Sequence, residues 1–185
     1  MAMDVGRRTA NGEIAMAAVE PVDAITLLKT DHRKVEELFS SFEHATGKAK
    51  KKGLAEQICM ELTIHSKIEE SIFYPACRGK VDADLINEAF VEHDGAKVLI
   101  AEIMAGEPSD DFYDAKVKVL QEQIEHHVEE EEKRLEGLFA QARKADVDMK
   151  ALGEELEARK KELQAEYEAT GVPKPELTTM EEASV

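Results

Sequence analysis

Apolar residues in this chain recur at intervals of three and four, the spacing of helices that each bury one face. Ile25, Leu28, Val35, Phe39 and Phe42 form one stripe, and His32 falls inside it. A second stripe of Leu54, Ile58, Leu62 and Ile72 takes in His65 and Glu69. Leu85, Ala89, Ala96, Ile100 and Ile103 make a third around His93. The fourth, through Val117, Leu120, Ile124, Leu135 and Leu138, takes in His127 and Glu131.

Caps and breakers bound these stripes. Asp23 caps a helix that runs to about Ala45 and closes at Thr46-Gly47. The next is predicted from about Leu54 to Tyr74, stopping at Pro75, and the lysine-rich "KAKKKG" before it reads as a solvated connector. The third spans about Asp82 to Ala105, ahead of "GEPSD", and the fourth about Asp110 to Ala145. No alternating β-branched run and no Asn-Gly or Asp-Gly hairpin signal interrupts them. The expectation is an all-α fold: an up-down-up-down four-helix bundle over residues 21–145 with an additional C-terminal helix over 146–169. The weaker seam of that fifth helix, through Met149, Leu152, Leu156, Leu163 and Tyr167, suits packing on the bundle or on a second subunit in a homodimer. Residues 1–20 read as a flexible lead-in and 170–185 as a disordered acidic tail.

Composition narrows the function. A formal net charge of −16 argues against nucleic acid and against anionic membranes as partners. Cys59 and Cys77 lack zinc-site spacing and read as free thiols. The N-terminal apolar run "IAMAAV" is too short for an export signal, and no segment approaches a membrane span, so a cytoplasmic protein is expected.

The stripes aim one histidine per helix at the core, and two of them also aim a glutamate. A lone histidine on an apolar face is usually a satisfied core residue, and a run of acids is usually a solvated face. Two buried carboxylates are different, because each must find a cation or a proton. His32, His65, His93 and His127 with Glu69 and Glu131 therefore read as metal ligands, with each His–Glu pair one helical turn apart. The same phase turns His126, Glu129 and Glu132 to solvent. Asp31 and Glu92, each preceding a histidine, are candidate acceptors for imidazole N–H groups. Glu36 could reach the site, His44 suits a helix end, and Tyr74 and Tyr113 read as rim or packing residues.

The chain also repeats itself. "HSKIEESIFYP" and "HVEEEEKRLEG" share His-x-x-x-Glu-Glu; His65 and His127 lie 62 residues apart, and His32 and His93 lie 61 apart. A helix hairpin repeated at that interval would place its ligands about a pseudo-two-fold axis.

With "LLKTDHRKVEELF", "EHDGAKVLI" and "HHVEEEE", these motifs resemble the bacterial hemerythrin-like histidine–histidine–glutamate (HHE) cation-binding domains over roughly residues 23–142. The resemblance implies a non-haem centre of two iron ions, with His32 and His65 on one, His93 and His127 on the other, and Glu69 and Glu131 bridging. Oxygen-carrying members have a histidine one turn after the third-helix ligand, where this chain has Lys97. That departure turns the expectation from reversible oxygen carriage towards chemistry with dioxygen, nitric oxide or hydrogen peroxide, in stress defence or iron handling. A catalase-like or ferroxidase-like step is its enzymatic form. The alternative is a gas, redox or iron sensor that signals to a partner through the C-terminal helix.

Overall fold

A computed structural model describes residues 22–180, and every regular element among them is helical. The expected flexible lead-in, residues 1–20, lies outside the described residues. Helix α1 (Ala24–Glu43) starts where the Asp23 carboxylate accepts the Thr26 amide at 3.1 Å, and His44 closes it through Ser40 and Phe42. Gly47, at φ 97°, makes the reversal that a residue with a Cβ rarely adopts. Helix α2 (Lys48–Ile68) then begins earlier than expected, because the "KAKKKG" lysines are good helix formers and enter its first turns instead of forming a connector.

The predicted stop at Pro75 is also not observed. Pro75 has no N–H and its ring crowds the carbonyl four residues back, so the helix widens instead of ending. A π-helical turn (Glu69–Phe73), closed by the Tyr74 amide donating to the Glu69 carbonyl, leads straight into α3 (Tyr74–Cys77). Helix α4 (Ala83–Ala105) is capped by Asp82 through the Asp84 amide. The long fourth helix expected from the stripes is two helices, α5 (Tyr113–Glu132) and α6 (Leu138–Lys144). The chain folds back at Gly137, where a Cβ would lie 2.6 Å from the Lys133 nitrogen and 2.7 Å from the Glu130 and Glu131 oxygens. Leu135, placed on the inward stripe by an unbroken helix, is accordingly 69% exposed.

Helix α7 (Met149–Thr170) packs on α1 and α2 of its own chain. Leu152, Leu156, Leu163 and Tyr167 join the core cluster of Ile25, Leu28, Ile68 and Phe73, so the seam is spent within the chain. Gly153 permits the close approach, since a Cβ there would meet the Val22 carbonyl at 2.2 Å. A second cluster, including Val35, Phe39, Ile58, Ile100, Tyr113 and Leu120, fills the other end of the bundle. Between the two lies a layer of buried polar residues. The expected disordered tail also differs from the structure over its described part, because Thr178–Met180 are hydrogen-bonded to Asp94 in α4. Among the described residues no helix is long and apolar enough to cross a membrane.

Candidate metal centre

The polar layer is assembled from four helices at one level. His32 comes from the middle of α1, His65 from the last turn of α2, His93 from α4, and His127 and Glu131 from the end of α5; Glu69 opens the π-turn. All six are buried. The Nε2 atoms of His32 and His65 stand 3.0 Å apart, and those of His93 and His127 stand 3.2 Å apart. Glu69 Oε2 lies 3.2 Å from His65 Nε2 and 3.4 Å from His93 Nε2, linking the two pairs. Glu131 Oε2 lies 3.5 Å from His32 Nε2 and 3.7 Å from His127 Nε2, linking them from the other side. One ligand atom each from His32, His65, Glu69 and Glu131 lies within 4.8 Å of the others, and so do those of Glu69, His93 and His127.

Behind each imidazole stands a carboxylate. His32 Nδ1 meets Glu132 at 2.8 Å, His93 Nδ1 meets Glu70 at 3.0 Å, and His127 Nδ1 meets Glu92 at 2.7 Å. Asp31 faces His65 Nδ1 at 3.6 Å; it is one methylene shorter than Glu92 and is also bound by Lys160 of α7. The arrangement obeys the sequence repeat. The residue before each hairpin's first histidine serves its second, and the residue after each inward glutamate serves the first histidine of the other hairpin. A carboxylate at Nδ1 selects the tautomer whose Nε2 carries a lone pair.

Several expectations change here. Glu132 is not turned to solvent: it accepts from His32, and from Lys29 at 3.0 Å and Arg33 at 2.5 Å. Glu70, which periodicity did not single out, has the equivalent place in the repeat. Lys97 is buried, and its Nζ holds Glu70 at 2.8 Å and Asp94 at 3.1 Å. Tyr74 is no rim residue. It is wholly buried, and its hydroxyl lies 3.0 Å from Glu131 Oε1 and 3.3 Å from Glu69 Oε2. The widened π-turn rotates Tyr74 onto the face of Glu69, which the phase of an uninterrupted α-helix does not do. Tyr113 packs in the apolar cluster, Glu36 is exposed beside Arg33, His44 caps α1, and His126 and Glu129 are exposed.

The electrostatics among these protein groups are lopsided. Burial beside Glu69 pushes the Glu131 carboxyl well above its usual range. Glu69 is also opposed by burial, but the surrounding imidazoles outweigh that and bring it to about 2. Burial lowers His32 to about 4, whereas His93 rises to about 9 because Glu69 and Glu70 overcome its desolvation. Burial and the two glutamates raise the Tyr74 phenol, which stays protonated at neutral pH.

This donor set fits bound cations. Glu69 Oε1 and Glu131 Oε2 are buried with no hydrogen-bond partner. The Nε2 atoms face each other across about 3 Å, a spacing that is favourable only with a proton or a metal cation between them. Imidazole with carboxylate suits iron, while zinc more often takes a closed four-coordinate site. A chamber with about 20 Å³ of room for the centre of a water-sized molecule adjoins the imidazoles, walled by Val35, Leu62, Ala96, Ile100, Ile124 and Val128.

Comparison with known proteins gives the family and the fold. The sequence model of the hemerythrin HHE cation binding domain matches residues 23–139. A crystal structure of a hemerythrin HHE cation binding domain-containing protein from Mycobacterium kansasii shares the fold, with a TM-score of 0.68 at 23% identity, covering 82% of this chain and 95% of that one. A DNA nickase from a Nostoc species is 29% identical over 109 residues, which are 59% of this chain and 31% of the nickase. The chain thus spans about a third of that relative's length.

Proposed function

Because the chain belongs to the hemerythrin HHE cation-binding domain family, we propose that it is a non-haem di-iron protein that binds or reacts with dioxygen, nitric oxide or hydrogen peroxide, in stress defence or iron handling. The observation that carries this reading is the convergence of four imidazole Nε2 atoms on two buried carboxyl groups, each with one oxygen that has no hydrogen-bond partner. His32 and His65 would hold one iron and His93 and His127 the other, with Glu69 and Glu131 shared between them. When bound, the irons supply Lewis acidity and a two-electron redox couple.

The chain's own groups do the rest. Glu132, Glu70 and Glu92 orient the rings of His32, His93 and His127 and hold the proton on Nδ1, while Asp31 faces His65 from 3.6 Å. Tyr74 donates its hydroxyl hydrogen to Glu131, holding that carboxylate and offering a proton inside a dry site. Lys97, committed to Glu70 and Asp94, adds no ligand where oxygen carriers have a histidine. The chamber's apolar wall excludes bulk water and leaves space of diatomic or peroxide size.

The sensor alternative drew on α7 as an output element, and burial of its seam in the bundle weakens that route. A nickase activity finds no support in a net charge of −16, which repels a phosphate backbone. The test is to add nitric oxide, dioxygen and hydrogen peroxide separately to iron-loaded protein and follow the visible spectrum and peroxide consumption. A ligand-dependent spectral change or peroxide loss is expected. Spectra indifferent to all three, at full iron content, would overturn the proposal.

A further inference from the structure

Three consecutive residues of the C-terminal segment close on one buried carboxylate. The amides of Thr178, Thr179 and Met180 donate to Asp94 at 2.9, 2.5 and 3.1 Å, and the Thr179 hydroxyl adds a bond at 2.8 Å. Asp94 is fully buried, so these bonds are shielded from competing water. The segment itself, from the end of α7 onward, has no helix or strand to hold it and contains Pro173 and Pro175. Its hydrogen bonds are concentrated at this carboxylate, with a looser ion pair from Glu176 to Lys67 at 4.0 Å.

What the segment covers gives the attachment a purpose. Lys97 and Ser66 line the inner chamber beside the imidazoles. They also line an outer cavity, roomier at about 230 Å³ by the same measure, whose far wall includes Pro173, Pro175 and Glu176. Asp94 accepts from Lys97 as well as from the segment, so one carboxylate pins both the inner wall and the outer cover. The recess on the opposite side, by Glu92 and Glu130, offers only about 10 Å³.

We propose that residues 171–180 are a lid latched at Asp94, with Lys97 as the gate beneath it, that admits solutes of diatomic or peroxide size to the four imidazoles and holds out bulkier ones. The identity of the small ligand rests on the di-iron reading, whereas the gating is a property of the chain with or without iron. Diethyl pyrocarbonate, a neutral reagent much larger than peroxide, therefore serves as the probe on metal-free protein, with modification read histidine by histidine by peptide mass spectrometry. Thr179→Pro deletes one latch amide and the latch hydroxyl without touching a bundle helix; a chain ending at Val172 removes the lid's far wall and latch. In both, His32, His65, His93 and His127 are expected to react roughly tenfold faster or more than in the full chain, the effect of losing buried hydrogen bonds on a local opening equilibrium. Exposed His126 should keep its rate, and the melting curve should stay cooperative. Unchanged rates at the four buried histidines in both variants would overturn the lid. A general rise that includes loss of cooperative melting in both would overturn it too, by showing the segment to be structural. Iron uptake by the same proteins, measured separately, decides the di-iron reading alone.

Discussion

An imidazole offers a cation its lone pair only from the nitrogen that carries no proton, so the residue behind the ring matters as much as the ring. Glu92 lies 2.7 Å from His127 Nδ1, and Glu92→Gln exchanges a charged acceptor for a neutral amide. Iron affinity should fall roughly 10- to 100-fold, read by competition with a chelator. His127→Ala should strip iron outright, while His126→Ala, on a ring 61% exposed in its side chain, should leave iron content unchanged. The reverse pattern would mean that α5 is out of phase by one residue. The apolar stripes made the burial of His32, His65, Glu69, His93, His127 and Glu131 in one layer legible in the sequence, and a carboxylate buried among histidines demands a cation or a proton. Asp31 and Glu92 were visible by adjacency. Glu70 and Glu132 were not, although the shared Glu-Glu of the repeat signalled both; a charge run hides one inward-leaning member among solvated neighbours. Cys59 and Cys77 are wholly buried, and burial pushes their thiols up to about 12 and about 11. The folded protein should therefore be silent to a thiol-disulfide reagent at neutral pH and release two thiols only on denaturation.

Each half of the bundle breaks its helix just past its inward glutamate, by different means. Pro75 stands six residues after Glu69 and widens the helix into a π-turn; Gly137 stands six residues after Glu131, where the chain folds back. Periodicity predicts where helices run, but it assumes a constant 3.6 residues per turn, so neither break nor the inward swing of Tyr74 was readable from it. Pro75 itself was the available signal, read as a stop when it is an accommodation. A matched pair of substitutions tests the role of the second break. Gly137→Ala puts a Cβ within 2.7 Å of backbone atoms of the α5 terminus, so Glu131 must move; both melting temperature and iron content should fall. Gly53→Ala, in α2 with nothing within 4 Å of its Cβ, should instead stabilise by about 0.5–1 kcal/mol through the unfolded chain, with iron content unchanged. Equal effects of the two in denaturant titrations and iron assays would show that Gly137 is not positioned as described.

At the scale of the whole molecule, a band of buried titratable groups divides two apolar clusters, an arrangement that costs stability unless charge is neutralised there. Bound metal should therefore act as part of the core. With free metal at about a hundredfold its dissociation constant, melting should rise by roughly 5–10 °C over chelated protein, read by calorimetry. The all-helical class and the negative surface followed from composition and period alone. The cover that the C-terminal segment makes over α4 did not, since three backbone amides on one aspartate leave no mark in a sequence. The central claim is that the four imidazoles and two inward glutamates form a cradle for paired iron ions. Elemental analysis of the protein purified from iron-supplied cells, beside its Glu131→Ala variant, tests that most directly. The account predicts about two irons per chain, one for each of the two ligand groups, and a clear loss in the variant. Iron-free protein, or protein whose iron content is untouched by Glu131→Ala, would contradict it.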